Sequence, residues 1–165
     1  MEKRLCLFFY QIGLYDEKMF QYIQNHKIEI KNKEDVPIFV GCFPIVKDGI
    51  LKSFKMFVPS GNEFIYDLMK VHECGHAIAL YKCLNKKYVD QKYSEIFPML
   101  LERLYSRSIG REEEYLRIQR NNLNSLLENE LYDRYKIALD IQEELINSNF
   151  NDFGFSSGCL KIRRK

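Results

Sequence analysis

The segment Val71-His72-Glu73-Cys74-Gly75-His76-Ala77-Ile78 constrains this chain more than any other. Histidines at i and i+4 are one helical turn apart, so on a helix both imidazoles project from one face toward a single point. Glu73 is rotated off that face, too far to share the point but near enough to reach a water held there. The pair therefore demands a helix, and the flanking sequence supplies one. Ser60-Gly61-Asn62-Glu63 reads as a capping box, so a helix is expected from near Gly61 to about Lys86, with Phe64, Ile65, Leu68, Val71, Ile78 and Ala79 as its apolar face. Gly75, between the histidines, lets a neighbouring element come close. Two ring nitrogens with an adjacent carboxylate base are what a catalytic Zn2+ site requires, together with a third protein ligand and an open position. A histidine on an apolar helix face is more often a packed core residue, and five-residue patterns recur by chance. The helical context and the acidic residues that follow weigh for a metal at His72 and His76, with Glu73 as catalytic base.

The third ligand is sought downstream. The longer pattern with a third histidine is absent, because Ala79 and Lys82 stand where it needs glycine and histidine. Glu95 lies 19 residues beyond His76 and Glu102 lies 26 beyond, so the two are seven apart and share a helix face. Glu95 is favoured as the ligand because it sits near the helix start and needs the shorter reach. Glu102 is the alternative ligand, or a group orienting a histidine, or a surface carboxylate.

The rest of the chain reads as one α+β domain over residues 1–165. Residues 1–60 are β-leaning, with Leu5–Leu14 a buried first strand or helix. Ile38–Val46 and Ile50–Val58 flank Lys47-Asp48-Gly49, whose Asp-Gly step is a hairpin signal, and Pro59 closes the second arm. A second helix is expected over about 91–107, capped by Asp90 and kinked at Pro98. After Gly110 a long third helix runs from about Arg111 to Asn147. Along it Leu131, Ala138 and Leu145 recur every seven residues, with Leu127 and Ile141 between them. That spacing fits an extended core-covering helix, with a helical hairpin or short coiled coil, and so self-association, as the alternative. The tail after Phe150 is loop-like.

Composition excludes several classes. A formal charge of +2 over 165 residues is too small to imply a nucleic-acid partner, and the basic tail Lys161, Arg163, Arg164, Lys165 reads as a solvated end. Five cysteines without a CxxC pair argue against a disulfide framework and against a thiolate-ligated metal, and fit a reducing cytoplasm. No stretch approaches the run of about 20 apolar residues that spans a membrane.

With these residues in view, the segment 62–107 resembles the gluzincins, metallopeptidases in which HExxH is followed by a helix-borne glutamate. The 18 residues between His76 and Glu95 match the aminopeptidase type. The wording Glu95-Ile96-Phe97-Pro98-Met99-Leu100-Leu101-Glu102 is closer to the oligoendopeptidase F and thimet oligopeptidase family. That resemblance implies a zincin-like fold, with a small N-terminal β-hairpin, an active-site helix, a ligand helix and a long C-terminal helix. It implies Zn2+ on His72, His76 and Glu95, Glu73 as general base, and a peptide or protein as substrate, with an edge strand of the hairpin receiving it. The family also uses a downstream histidine and tyrosine on the transition state. Here His26 is the one other histidine and lies upstream, so a tyrosine would serve, with Tyr105, Tyr115, Tyr132 and Tyr135 all open. The competing reading is a zincin-fold regulatory or binding protein acting on one specific partner, with little or no general peptidase activity.

Overall fold

The computed structural model describes residues 3–24, 40–48, 50–58, 63–83, 94–127 and 131–147, with the backbone alone for residues 22–24, 50, 51, 82 and 83. In chain order they form helices α1 (Lys3–Gln11) and α2 (Glu17–Gln24), strands β1 (Gly41–Lys47) and β2 (Ile50–Phe57), then α3 (Phe64–Cys83), α4 (Ile96–Ser108), α5 (Glu112–Ser125) and α6 (Leu131–Asn147). The described chain is thus mixed α/β and mostly helical, with a two-stranded antiparallel sheet. No helix among these residues is long and apolar enough to cross a membrane. Asp90, the Ser60 cap, Pro59, His26 and the tail after Phe150 lie outside the described residues.

The β-leaning reading of the N-terminal part is corrected by two helices that precede the hairpin. Leu5, Phe8 and Phe9, spaced i, i+3, i+4, are buried along one face of α1. Gly13 at φ +71 ends that helix: Leu14 N–H reaches Phe9 C=O at 2.9 Å and Gly13 N–H reaches Tyr10 C=O at 3.1 Å, the paired bonds of a Schellman turn. Asp16 then caps α2, its Oδ1 accepting from Met19 N–H at 3.0 Å. Helical spacing and capping chemistry outweighed a composition rich in aromatic and β-branched residues.

The hairpin forms where the Asp-Gly step places it. Lys47 pairs with Ile50, and Asp48 takes φ 54, the left-handed conformation a two-residue turn needs. The register shifts at Ile45/Val46: Ile45 pairs with Ser53 and Val46 with Leu51, which leaves Lys52 as an extra residue in β2. Phe54, Met56 and Val58 face the core, whereas Phe43, Ile45 and Val46 of β1 remain 43–54 % exposed.

α3 is the centre of the molecule. Leu68, Val71, Cys74, Ala77 and Ile78 are buried, in a core shared with Phe9, Phe20, Phe54, Leu101, Tyr105 and Tyr115. Asp67 ties three helices together, accepting from Arg4 Nη2 at 2.6 Å and from the Tyr105 hydroxyl at 2.8 Å. α4 begins at Ile96 with Glu95 as its N-cap residue, so Pro98 falls in the first turn. There its missing N–H costs no helical hydrogen bond, which removes the reason for the expected kink.

The single helix expected over 111–147 is two helices. The run Asn121-Asn122-Leu123-Asn124-Ser125 ends α5, since asparagine and serine compete for the backbone and favour helix ends. Leu126 N–H turns back to Leu123 C=O at 3.1 Å, and Ser125 Oγ donates to Asn122 C=O at 2.7 Å. α6 lays Ala138, Gln142 and Leu145 inward, and Ala138 packs in a cluster with Ile96 and Met99 of α4. Arg103, 5 % exposed, clamps the three helices by donating to Glu112 at 2.8 Å and Glu143 at 2.6 Å.

Candidate metal centre

The close approach of α3 and α4 is set by Gly75. A Cβ built there would stand 2.7 Å from Pro98 Cα and 3.3 Å from Leu101 Cδ1, so the missing side chain is what lets the helices touch. Glu95, Pro98 and Glu102 recur at i, i+3 and i+7 along α4, and this face meets the histidine face of α3.

Three predicted residues converge there. His72 Nε2 lies 3.1 Å from His76 Nε2 and 3.1 Å from Glu95 Oε2, and His76 Nε2 lies 3.7 Å from the same oxygen. A tetrahedral zinc with bonds of about 2.0–2.2 Å sets its ligand atoms roughly 3.3–3.6 Å apart, so the triangle has the dimensions of an ion site. Two imidazole nitrogens and one carboxylate oxygen form a donor set suited to zinc, and His72, His76 and Glu95 together could hold a metal ion. The two glutamates take different places. Glu95 stands on the Nε2 side of His72, while Glu102 is buried on the other side, its Oε1 3.1 Å from His72 Nδ1. A carboxylate on Nδ1 fixes the tautomer that leaves Nε2 free to bind an ion. Glu102 is therefore placed where it could orient His72, and it is not a surface carboxylate. Behind it, Gln119 Nε2 donates to Glu102 Oε2 at 3.0 Å.

Electrostatics follow from burial and crowding. Burial by itself would lower His72, but the Glu102 and Glu95 carboxylates outweigh it and lift the imidazole to about 10. Burial lowers His76, and the charge of His72 pushes it further, to about 4, against the pull of Glu95. Burial acts to raise Glu95, yet its hydrogen bond and charge contact with His72 hold it below its ordinary value. Burial raises Glu102, with the charge of His72 opposing and that of Glu95 adding. Glu73 is 5 % exposed and its Oε2 has no hydrogen-bond partner. Burial raises it to about 7, with His72 opposing and Glu95 and Glu102 adding. A carboxyl poised near neutrality with one free oxygen is suited to move a proton.

A cleft of about 220 Å³ opens onto His72 and Glu73, its wall formed by Ile65, Leu68, Met69 and Ile118 together with Val40, Gln119, Asn122 and Tyr135. A larger surface hollow at Glu63, Phe64 and Arg111 contains none of His72, Glu73, His76, Glu95 and Glu102. Among the tyrosines, Tyr105 is committed to Asp67, and Tyr115 donates to Met99 C=O at 3.1 Å beside Gln142. Tyr132 is not in the cleft wall, whereas Tyr135 is. Burial raises the Tyr135 hydroxyl, and the charges of Glu95, Glu102 and Glu73 add to the effect, so it stays a donor. Sequence reasoning passed over Gln119 and Asn122. The available signal was the stripe Tyr115, Ile118, Gln119, at i, i+3 and i+4, where Gln119 continues an inward face; Asn122, one turn further, is exposed at the cleft. Comparison with family models, with curated proteins and with solved structures returned no match to this chain.

Proposed function

We propose that the chain is a zinc metallopeptidase of the gluzincin kind, with His72, His76 and Glu95 as ligands and Glu73 as general base. The observation that carries this reading is the convergence of three ligand atoms within 4.8 Å of one another beside a buried carboxyl with a free oxygen. When bound, zinc supplies a Lewis acid that polarises a carbonyl and brings the pKa of a water toward 7. Glu73 would take the proton from the attacking water and pass it to the leaving amine. Glu102 would hold His72 in its ligating tautomer, and Tyr135 would donate to the oxygen on which negative charge develops.

The surroundings support a peptide as substrate. β1 packs beside α3 with Val40 in the cleft wall, so a chain added to its outer edge would run past Glu73. A zincin-like arrangement is the fold reading that goes with this, a hairpin edge lying against the active-site helix. Free thiols at Cys6 and Cys42 fit a reducing compartment such as the cytoplasm. A second reading, a binding protein with little activity, is favoured by the exposed Phe43, Ile45 and Val46, an apolar edge that a partner strand would cover.

Metal removal is the direct test. The purified chain is expected to carry one zinc ion and to cleave a mixed set of casein-derived peptides. Dialysis against 1,10-phenanthroline should abolish cleavage, and one equivalent of zinc, but not of magnesium, should restore it. Full activity after metal removal would sink the reading. Tyr135→Phe is expected to lower kcat by about 10²-fold while KM and zinc affinity stay within twofold. An unchanged kcat would remove Tyr135 from the mechanism.

A further inference from the structure

Gln119 is 5 % exposed, and the two ends of its amide have different fates. Burying such a group costs free energy unless both ends are hydrogen-bonded. Nε2 donates to Glu102 Oε2, whereas Oε1 is buried without a partner, and the residue forms part of the cleft wall beside His72 and Glu73. The orientation of the amide follows from its neighbour. Glu102 pairs with His72 Nδ1 through Oε1 and accepts from the Gln119 NH₂ end through Oε2, which fixes which end of the amide faces it. The acceptor end is the half of the amide that has no protein partner.

The cleft limits what that can be. Its volume of about 220 Å³ exceeds the roughly 150 Å³ of an apolar cavity that admits benzene. It falls short of the roughly 300–1,000 Å³ of sites that enclose whole drug-sized ligands. One bulky side chain with its adjoining main chain is the matching size. Ile65, Leu68, Met69 and Ile118 make the wall apolar, and Glu73 and Glu102 beside it disfavour an acidic group.

Resting on the peptidase reading above, we propose that Gln119 is a positioning and specificity residue of this site. Its Nε2 holds Glu102 against His72, and its Oε1 accepts a main-chain N–H from a peptide whose bulky apolar side chain fills the cleft. A residue without an N–H at that one position, proline or an N-methylated amino acid, is then rejected even when its side chain fits. Substrates are peptides with a Leu- or Phe-like residue next to the scissile bond, and acidic residues there are excluded.

The two halves are tested separately on the full chain. Zinc affinity, measured by competition with a chromogenic chelator, is expected to fall about 10–100-fold in Gln119→Met and in Glu102→Gln. The double variant should lose little more than either alone, because both changes break one chain of hydrogen bonds. Additive losses, or an unchanged affinity in Gln119→Met, overturn the positioning half. For the other half, a leucine-centred decapeptide is N-methylated at one amide at a time and assayed with zinc-saturated protein. In the wild type, methylation at one position should raise KM about tenfold, the worth of one hydrogen bond. In Gln119→Met the penalty at that position should vanish. A wild-type profile with no such position overturns the acceptor role, and that arm stands even if the variant fails to fold. Wild type that binds zinc yet cleaves no peptide defeats the peptidase reading instead, while the zinc titration still judges the hold on Glu102.

Discussion

Glu73→Gln is expected to lower peptide hydrolysis by about 10²–10⁴-fold while leaving zinc stoichiometry and affinity unchanged. The separation of the two effects follows from position. His72, His76 and Glu95 supply the converging ligand atoms, and Glu73, though next to His72 in sequence, is not one of them. Its carboxyl lies in the cleft wall with Oε2 unpartnered. Glutamine has nearly the same shape, so the packing of α3 is preserved, but an amide cannot take a proton from water. The metal-free thermal midpoint should be no lower than that of the wild type. A buried carboxyl with an unpartnered oxygen is costly to keep, and its neutral isostere is less so. Function retained against stability in this way is common at active sites. Activity, zinc content and thermal midpoint measured on one preparation make the test decisive. Cleavage at the wild-type rate would remove the general base, and with it the hydrolytic mechanism. Lost zinc would show instead that Glu73 helps to hold the ion.

How much of this was legible beforehand depended on the range of the signals. His72, Glu73, Gly75 and His76 lie within one and a half turns of helix, and local spacing states their mutual geometry outright. Glu95 and Glu102 are a second local pair, seven apart on α4, so their shared face could be read as well. Which of them meets which nitrogen of His72 could not. That depends on the axial offset of α4 against α3, fixed by the contact of Gly75 with Pro98 and Leu101, a matter of packing rather than of pattern. The N-terminal segment Leu5–Leu14 stays open between strand and helix for a different reason. Leu5, Phe8 and Phe9 carry a helical period, and Gly13 and Asp16 are stop and start signals, but the Phe-, Ile- and Val-rich composition of residues 1–60 leans toward strand. Gln119 was the least accessible residue of the site. Its importance lies in a partner 17 positions away and in an amide oxygen with no partner, and neither has a sequence signature.

Gly75→Ala should be more damaging than its size suggests, and its sign runs against helix propensity. In an exposed helix the substitution would gain about 1 kcal/mol, because glycine loses the more backbone freedom on folding. Here the new methyl would sit 2.7 Å from Pro98 Cα and 3.2 Å from Pro98 Cβ. The nearer atom is backbone, so no rotamer change removes the overlap and the two helices must part. Overpacking of this kind costs about 1–3 kcal/mol, enough to cancel the propensity gain and exceed it. The metal centre is expected to suffer more than the fold. Pro98 lies between Glu95 and Glu102 on α4, so any shift that relieves it carries both carboxylates away from His72. A displacement near 1 Å at reacting groups is worth about 10²-fold in rate, and zinc affinity should fall with it. Calorimetry should therefore show a lower midpoint, by a few degrees at most, alongside a zinc affinity reduced out of proportion to it. A variant more stable than the wild type with zinc binding intact would mean that α3 and α4 do not meet at this contact. In that case Glu95 would be too loosely placed to serve as the third ligand, and the centre would have to be closed by a different residue.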